Sequence, residues 1–181
     1  MAGDGLPLCV IVTGRPGSGK STLAPRLAES LRMPLVSRDA IKEGYVVTAG
    51  RAHADLPADT NLVVSRLFGD VVHRLLDAGV SVVIEAAFQH RGWAGPLESL
   101  RAISRPRIVL CTLPPEHAAE RFRARATRDP AREWFHGPGQ ADAEYVEPAF
   151  DVPTLRVDTR DGCRPSIEAL ARWLRSQPEN R

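Results

Sequence analysis

The stretch at residues 14–21, G-R-P-G-S-G-K-S, limits the folds open to this chain more than any other feature. It has the form G-x-x-x-x-G-K-[S/T], with Thr22 extending it, and its chemistry is that of a turn wrapped around phosphates. Glycines let the backbone take positive φ and approach a ligand closely. Backbone N–H groups then converge on α- and β-phosphates, Lys20 reaches the β- and γ-phosphates, and the Ser21 hydroxyl offers a ligand to Mg²⁺. Such a turn needs a strand before it and a helix after it. Residues 8–12, L-C-V-I-V, read as a buried parallel strand, and residues 21–31 place Leu23, Leu27 and Leu31 at i, i+4 and i+8. Pro25 falls early in that helix, where it removes a backbone donor and is expected to bend the second turn. The expectation is a nucleoside triphosphate site cradled by Gly14, Arg15, Pro16, Gly17, Ser18, Gly19, Lys20, Ser21 and Thr22.

Beyond the loop the pattern alternates. A short strand is expected at 34–37 and a helix or turn at 39–47. A helix follows at 60–78, with Leu62, Leu67, Val71, Val72, Leu75 and Leu76 on its apolar face, and Gly79 closes it. Further strands read at 80–84, 107–113 and 155–158, and a last amphipathic helix at 167–174. Strands separated by helical segments argue for an α/β parallel sheet covered on both faces. In that architecture ligands collect at the carboxyl ends of the strands, so polar residues just after each strand are the candidates for chemistry.

Composition narrows the class. A chain of 181 residues, 43% hydrophobic and 25% charged, fits one domain with a proper core. A net charge of +2 is too small to imply a nucleic-acid surface or an anionic membrane partner. No signal peptide or membrane-spanning run is read, and a cytoplasmic protein is expected. Cys9, Cys111 and Cys163 are widely spaced, without a C-x-x-C pair, so neither a disulfide framework nor a zinc site is suggested.

Two acids meet the positional test. Asp39 follows the second strand in S-R-D-A-I-K, and Glu85 follows the third in V-V-I-E-A-A. The first can accept the proton of an attacking hydroxyl; the second can hold a water of the Mg²⁺ shell or orient the acceptor. A helix N-cap is the other reading of Asp39. Arg38 and Lys42 flank it, either to bind acceptor or phosphate groups or as solvated surface charge. A third constellation is E-R-F-R-A-R-A-T-R-D-P at 120–130. At about 100° per residue, Arg121, Arg125 and Arg128 share one stripe while Arg123 points away. Three guanidiniums on one face repel unless an anion sits opposite, and a transferred γ-phosphoryl group needs its oxygens neutralised in a dry site. The alternative is an exposed basic helix pairing with Glu116, Glu120 and Asp129. Pro130 is read as stopping that helix, and G-P-G at 137–139 as part of a long mobile connection.

These pieces, with E-Y-V-E-P and L-R-V-D-T further on, make the chain resemble the small P-loop kinases, in particular the group of polynucleotide 5′-hydroxyl kinases, chloramphenicol phosphotransferase and zeta-toxin-type kinases. The resemblance covers most of the chain. It implies a three-layer P-loop NTPase fold with a five-stranded parallel sheet of order 2-3-1-4-5, an arginine lid at about 115–138 and a flexible tail at 176–181. It implies ATP and Mg²⁺, with Asp39 as general base, Lys20 and Arg125 acting on the transferred group, Arg121 near the base of ATP, and Arg125 and Arg128 at its phosphates. Residues 159–162 would border the adenine, and Ser21 with Glu85 would serve the metal. Glu85 departs from the pattern, since such relatives more often carry Asp there. No N-K-x-D motif supports a GTPase, and the strand before Glu85 lacks the D-E pair of many mechanical ATPases.

For the acceptor, residues 38–78 hold five Lys or Arg against six acids. That balance favours a small acceptor that is not highly anionic, bound near Arg38, Lys42 and Glu85, with Tyr45, Phe88 and Trp93 as stacking or packing groups. A polynucleotide 5′-hydroxyl kinase, whose acceptor groove should track phosphates with basic residues, and a nucleotide-binding switch without phosphotransfer are the alternatives.

Overall fold

The computed structural model describes residues 5–87, 90–137 and 145–176, with the backbone alone at 90–94. Phe88, the side chains of His90 and Trp93, Gly139 within G-P-G, and the tail from 177 onward lie outside the described residues.

Strand β1 (Leu8–Thr13) is buried along its whole length and lies at the centre of the sheet. Strands β2 (Leu35–Ser37), β3 (Val82–Glu85), β4 (Arg105–Thr112) and β5 (Thr154–Asp158) complete an all-parallel sheet of order β2-β3-β1-β4-β5, as expected. Because strand side chains alternate, β1 feeds two cores. Leu8, Val10 and Val12 join Val83, Val109 and Val157 under helices α1 (Lys20–Leu31) and α7 (Ile167–Arg175). Cys9 and Ile11 join Ile84, Ile108 and Leu110 under α3 (Thr60–Asp77) and α4 (His90–Ile103). Three layers result, and burial on both sides explains the unbroken apolar run of β1.

Several boundaries differ from the expectations. Helix α3 buries Val64, Phe68, Val72 and Leu76, whereas Leu62, Leu67 and Val71 are exposed. The buried face is the one that carries Phe68, in the same core as Val82 and Ile84 of β3. Val80 does not begin β3: its N–H donates to the Leu75 carbonyl at 2.9 Å, closing the turn after α3. The strand therefore starts at Val82, and Glu85 is its last residue, paired in register with Val12 and Ser37, not a residue beyond it. Helix α1 runs through Pro25 to Leu31, with Leu23, Leu27 and Leu31 buried. Helix α2 (Arg38–Ala49) is capped by Ser37, whose hydroxyl accepts from the Ala40 N–H at 3.4 Å. Asp39 is thus a first-turn residue, not the N-cap.

Between β4 and β5 the chain forms α5 (Pro115–Arg128) and, past Pro130, a second short helix α6 (Ala131–His136). Proline is favoured in a first turn as well as after a last one, which is why Pro130 ends one helix and opens another. Helix α6 packs against α2 and against a 3-10 turn at His53–Asp55. No helix among the described residues is long and apolar enough to cross a membrane.

Candidate active site

The phosphate loop is held shut by its neighbours. Gly14 has φ 147° and Gly17 φ 80°. A Cβ on Gly14 would collide with the Cys111 carbonyl at the end of β4, and one on Gly17 with the Ala118 backbone in α5. The loop therefore threads between strand and helix at a spacing only glycine permits. Thr159, after β5, donates its hydroxyl to the Ser18 carbonyl at 2.8 Å and ties the loop from a third side.

Lys20 opens α1 and is 8% exposed. Its Nζ donates to the Arg15 carbonyl at 3.0 Å. Burial pushes the ammonium below its ordinary range, and Glu85 nearby pushes it partly back. Glu85, 3% exposed, accepts from the Ser21 hydroxyl at 3.3 Å with one oxygen and from the Ser37 hydroxyl at 2.7 Å with the other. The carboxylate links the phosphate loop to the start of α2. Ser37 was not anticipated from sequence, although a serine two residues before Asp39 carries a cap signal.

These groups open onto a cavity of about 830 Å³, within the range of small-ligand sites. Its floor is Pro16, Gly17, Gly19, Lys20, Ser21 and Thr22; Arg38, Asp39 and Glu85 stand on one side, and Arg121, Arg125 and Arg128 on the other. The structure thus brings the predicted acids and the arginine stripe to one space. Asp39 keeps its side chain 43% exposed, with an Arg38 nitrogen at 3.9 Å. Arg38 itself donates to the Ser65 hydroxyl at 3.1 Å and the Asn61 carbonyl at 3.1 Å. Arg121 donates to the Thr159 carbonyl at 3.0 Å and the Arg160 carbonyl at 2.6 Å, joining α5 to the 159–162 loop. The guanidiniums of Arg125 and Arg128 have no hydrogen-bond or ion-pair partner among the described residues.

Other expected residues sit elsewhere. Gly14 and the buried Ser18 belong to the loop without lining the cavity, and Arg15 turns away from it to lie over the Tyr145 ring, 5.5 Å from its centroid. Lys42 is 5% exposed behind the wall, its Nζ 3.5 Å from the His136 carbonyl. Tyr45 does not line the cavity; Phe122, Arg132 and His136 do, and these three were missed. Arg132 and His136 lay beyond a proline read as a stop.

Residues 9–136 match the family model described as an AAA domain, AAA_33. The chain belongs to that family. It is a family of P-loop kinases, and membership gives the chain a kinase fold with a nucleotide-binding P-loop. No curated protein matches the chain significantly. Among solved structures, a candidate kinase of Chloroflexus aurantiacus superposes with a TM-score of 0.80 at 23% identity, over 94% of this chain and 97% of its own. The APS kinase of Mycobacterium tuberculosis, solved with AMPPNP and APS, gives 0.62 at 20% identity over 94% and 96%. A sugar kinase of Janibacter sp. gives 0.60 at 21% over 93% and 94%. At these identities the likeness shows a shared fold across nearly the whole of each chain.

Proposed function

We propose that this chain is an ATP-dependent kinase that transfers the γ-phosphoryl group to a hydroxyl of a small-molecule acceptor. The observation that carries the reading is one cavity with a phosphate loop on its floor, a half-exposed carboxylate at one side and, at the other, guanidiniums without a partner among the described residues. In the reaction the acceptor hydroxyl gives its proton to Asp39 and its oxygen bonds to the γ-phosphorus. The bond to the bridging oxygen of ADP breaks in line with it. Lys20, buried at the floor, and Arg125 and Arg128, exposed on the wall, neutralise the phosphoryl oxygens as charge shifts. Arg121 and the 159–162 loop border the adenine. The hard oxygens of Ser21 and Glu85 fit Mg²⁺, which takes one or two protein ligands besides phosphates. Ser21 would ligate it, Glu85 would hold a water of its shell, and the ion would supply neutralisation of phosphate charge.

The chain acts as one kinase domain, with 115–138 as the lid over the nucleotide. The sugar kinase and APS kinase among its structural neighbours support the kinase reading. Asp39→Asn tests it: transfer falls by about 10²–10⁴ while Mg·ATP affinity holds, because the carboxylate serves the acceptor and not the nucleotide. Unchanged ATP turnover in that variant would point to a switch protein, and Lys20→Ala, which weakens nucleotide binding in either case, confirms that the same site is being read.

A further inference from the structure

The wall of the cavity facing the acceptor is richer in cations than the acceptor-side sequence suggests. Of the six acids in 38–78, Asp55, Asp59, Asp70 and Asp77 are exposed away from the cavity, and Asp39 is the one that lines it. Arg38 lines it too, and Arg132 arrives from α6, outside that segment altogether. Around the whole cavity stand six Lys or Arg against three carboxylates. Arg121 is committed to two carbonyls, and Lys20, Arg125 and Arg128 suit the triphosphate. Arg38 is committed as well, to the Ser65 hydroxyl and the Asn61 carbonyl, and Arg132 remains.

Arg132 is placed on the acceptor side by construction. Its helix is fastened to α2 at its carboxyl end, where His136 Nε2 meets Glu43 Oε1 at 2.9 Å and Lys42 Nζ approaches the His136 carbonyl at 3.5 Å. Gly137, at φ 73°, lies against the His53 ring. The guanidinium rests over the Phe122 ring, 5.9 Å from its centroid, and has no carboxylate partner among the described residues. Burial and then Arg125 depress it, while Asp39, Glu43 and Asp129 act in the opposite sense. Lys42 is depressed by burial and then by Arg38, with Arg132 adding to the effect.

We infer that the acceptor is a small hydroxyl compound carrying one oxyanion group, a carboxylate or phosphate monoester, which Arg132 binds while Asp39 faces the hydroxyl. The inference rests on the kinase reading for the hydroxyl; the anion site stands apart from it and is tested apart. A guanidinium offers two parallel donors to either oxyanion, which an exposed lysine does not.

The experiment is calorimetric titration of inorganic phosphate, and separately acetate, into the full chain saturated with Mg·AMPPNP, so that the triphosphate site is filled. One saturable site is expected, weakened roughly tenfold to a hundredfold in Arg132→Gln and partly restored in Arg132→Lys. Affinity for Mg·AMPPNP is measured alongside. No saturable anion binding to the filled protein overturns the inference, as does an Arg132→Gln loss confined to Mg·AMPPNP affinity, which would make Arg132 a nucleotide ligand. Turnover with matched acceptors, gluconate against glucose and adenosine 3′-phosphate against adenosine, gives a second readout. The charged member should lead in kcat/KM, and Arg132→Gln should erase the lead. Preference for the neutral members would overturn the anion site and leave the kinase standing, whereas anion binding without transfer to any acceptor would do the reverse. A 5′-hydroxyl oligonucleotide outcompeting every small acceptor, with steep salt dependence, would replace the small acceptor by a polynucleotide.

Discussion

Gly17 holds the least room for change. With φ at 80° and the Ala118 backbone where a Cβ would go, a side chain there meets both a left-handed backbone and a rigid neighbour. Gly17→Ala should therefore weaken Mg·ATP binding by about tenfold or more, the left-handed conformation alone costing about 1–2 kcal/mol. Equilibrium dialysis with labelled ATP checks this, and unchanged affinity would mean that the loop adopts another shape around the nucleotide. Lys20 offers a pH signature. Its ammonium is held below the ordinary lysine range by burial, with Glu85 opposing that effect, and phosphates favour the charged form. The unliganded protein then loses this proton at lower pH than the complex does. Binding takes a proton up on the alkaline side, and affinity falls by up to about tenfold per pH unit as pH rises through the unliganded value towards about 10.4. Calorimetry in buffers of different ionisation enthalpy should show proton uptake there; its absence would place Lys20 away from the phosphates.

At the scale of elements, the junction of β2, β3 and α2 is where stability and chemistry meet. Ser37 caps α2 and also donates to Glu85, which in turn receives Ser21. Ser37→Ala removes a cap worth about 1 kcal/mol, which corresponds to a fall in Tm of about 2–4 °C in a chain of this size. It should lower transfer more than nucleotide affinity, since it loosens the helix that carries Asp39 while leaving residues 14–22 in place. Thermal melting and steady-state kinetics with ATP varied would show this split, and an equal loss in both would assign Ser37 to the nucleotide side. This junction was only half legible in the sequence. Asp39 and Glu85 were found by the rule that polar residues after strands face ligands. The bond between Glu85 and Ser37 joins residues 48 apart in sequence, and no local pattern encodes it. Helix α6 was missed for the opposite reason: Pro130 carries two local meanings, and tertiary packing on α2 decides between them. Helix α4 contains Gly92, Gly95 and Pro96, poor helix formers, and is anchored by buried Leu97 and Leu100 against the sheet.

For the molecule as a whole, the sheet order and the two cores followed from motif and resemblance, because a strand buried on both faces and a phosphate loop leave few alternatives. The direction in which charged side chains point did not follow. A count over 38–78 weighed exposed acids equally with Arg38 and Asp39, and omitted Arg132, which the fold imports from another element. Burial, not composition, decides which charges a ligand meets. Phosphoryl transfer to a hydroxyl is read by incubating the purified protein with Mg·ATP and a panel of hydroxyl compounds, neutral and anionic, with a 5′-hydroxyl oligonucleotide included, and following products by mass spectrometry. A small acceptor should gain one phosphoryl group in step with ADP release, and no such product should form with Asp39→Asn. Tight Mg·ATP binding with no phosphorylated product from any member of the panel would contradict that transfer.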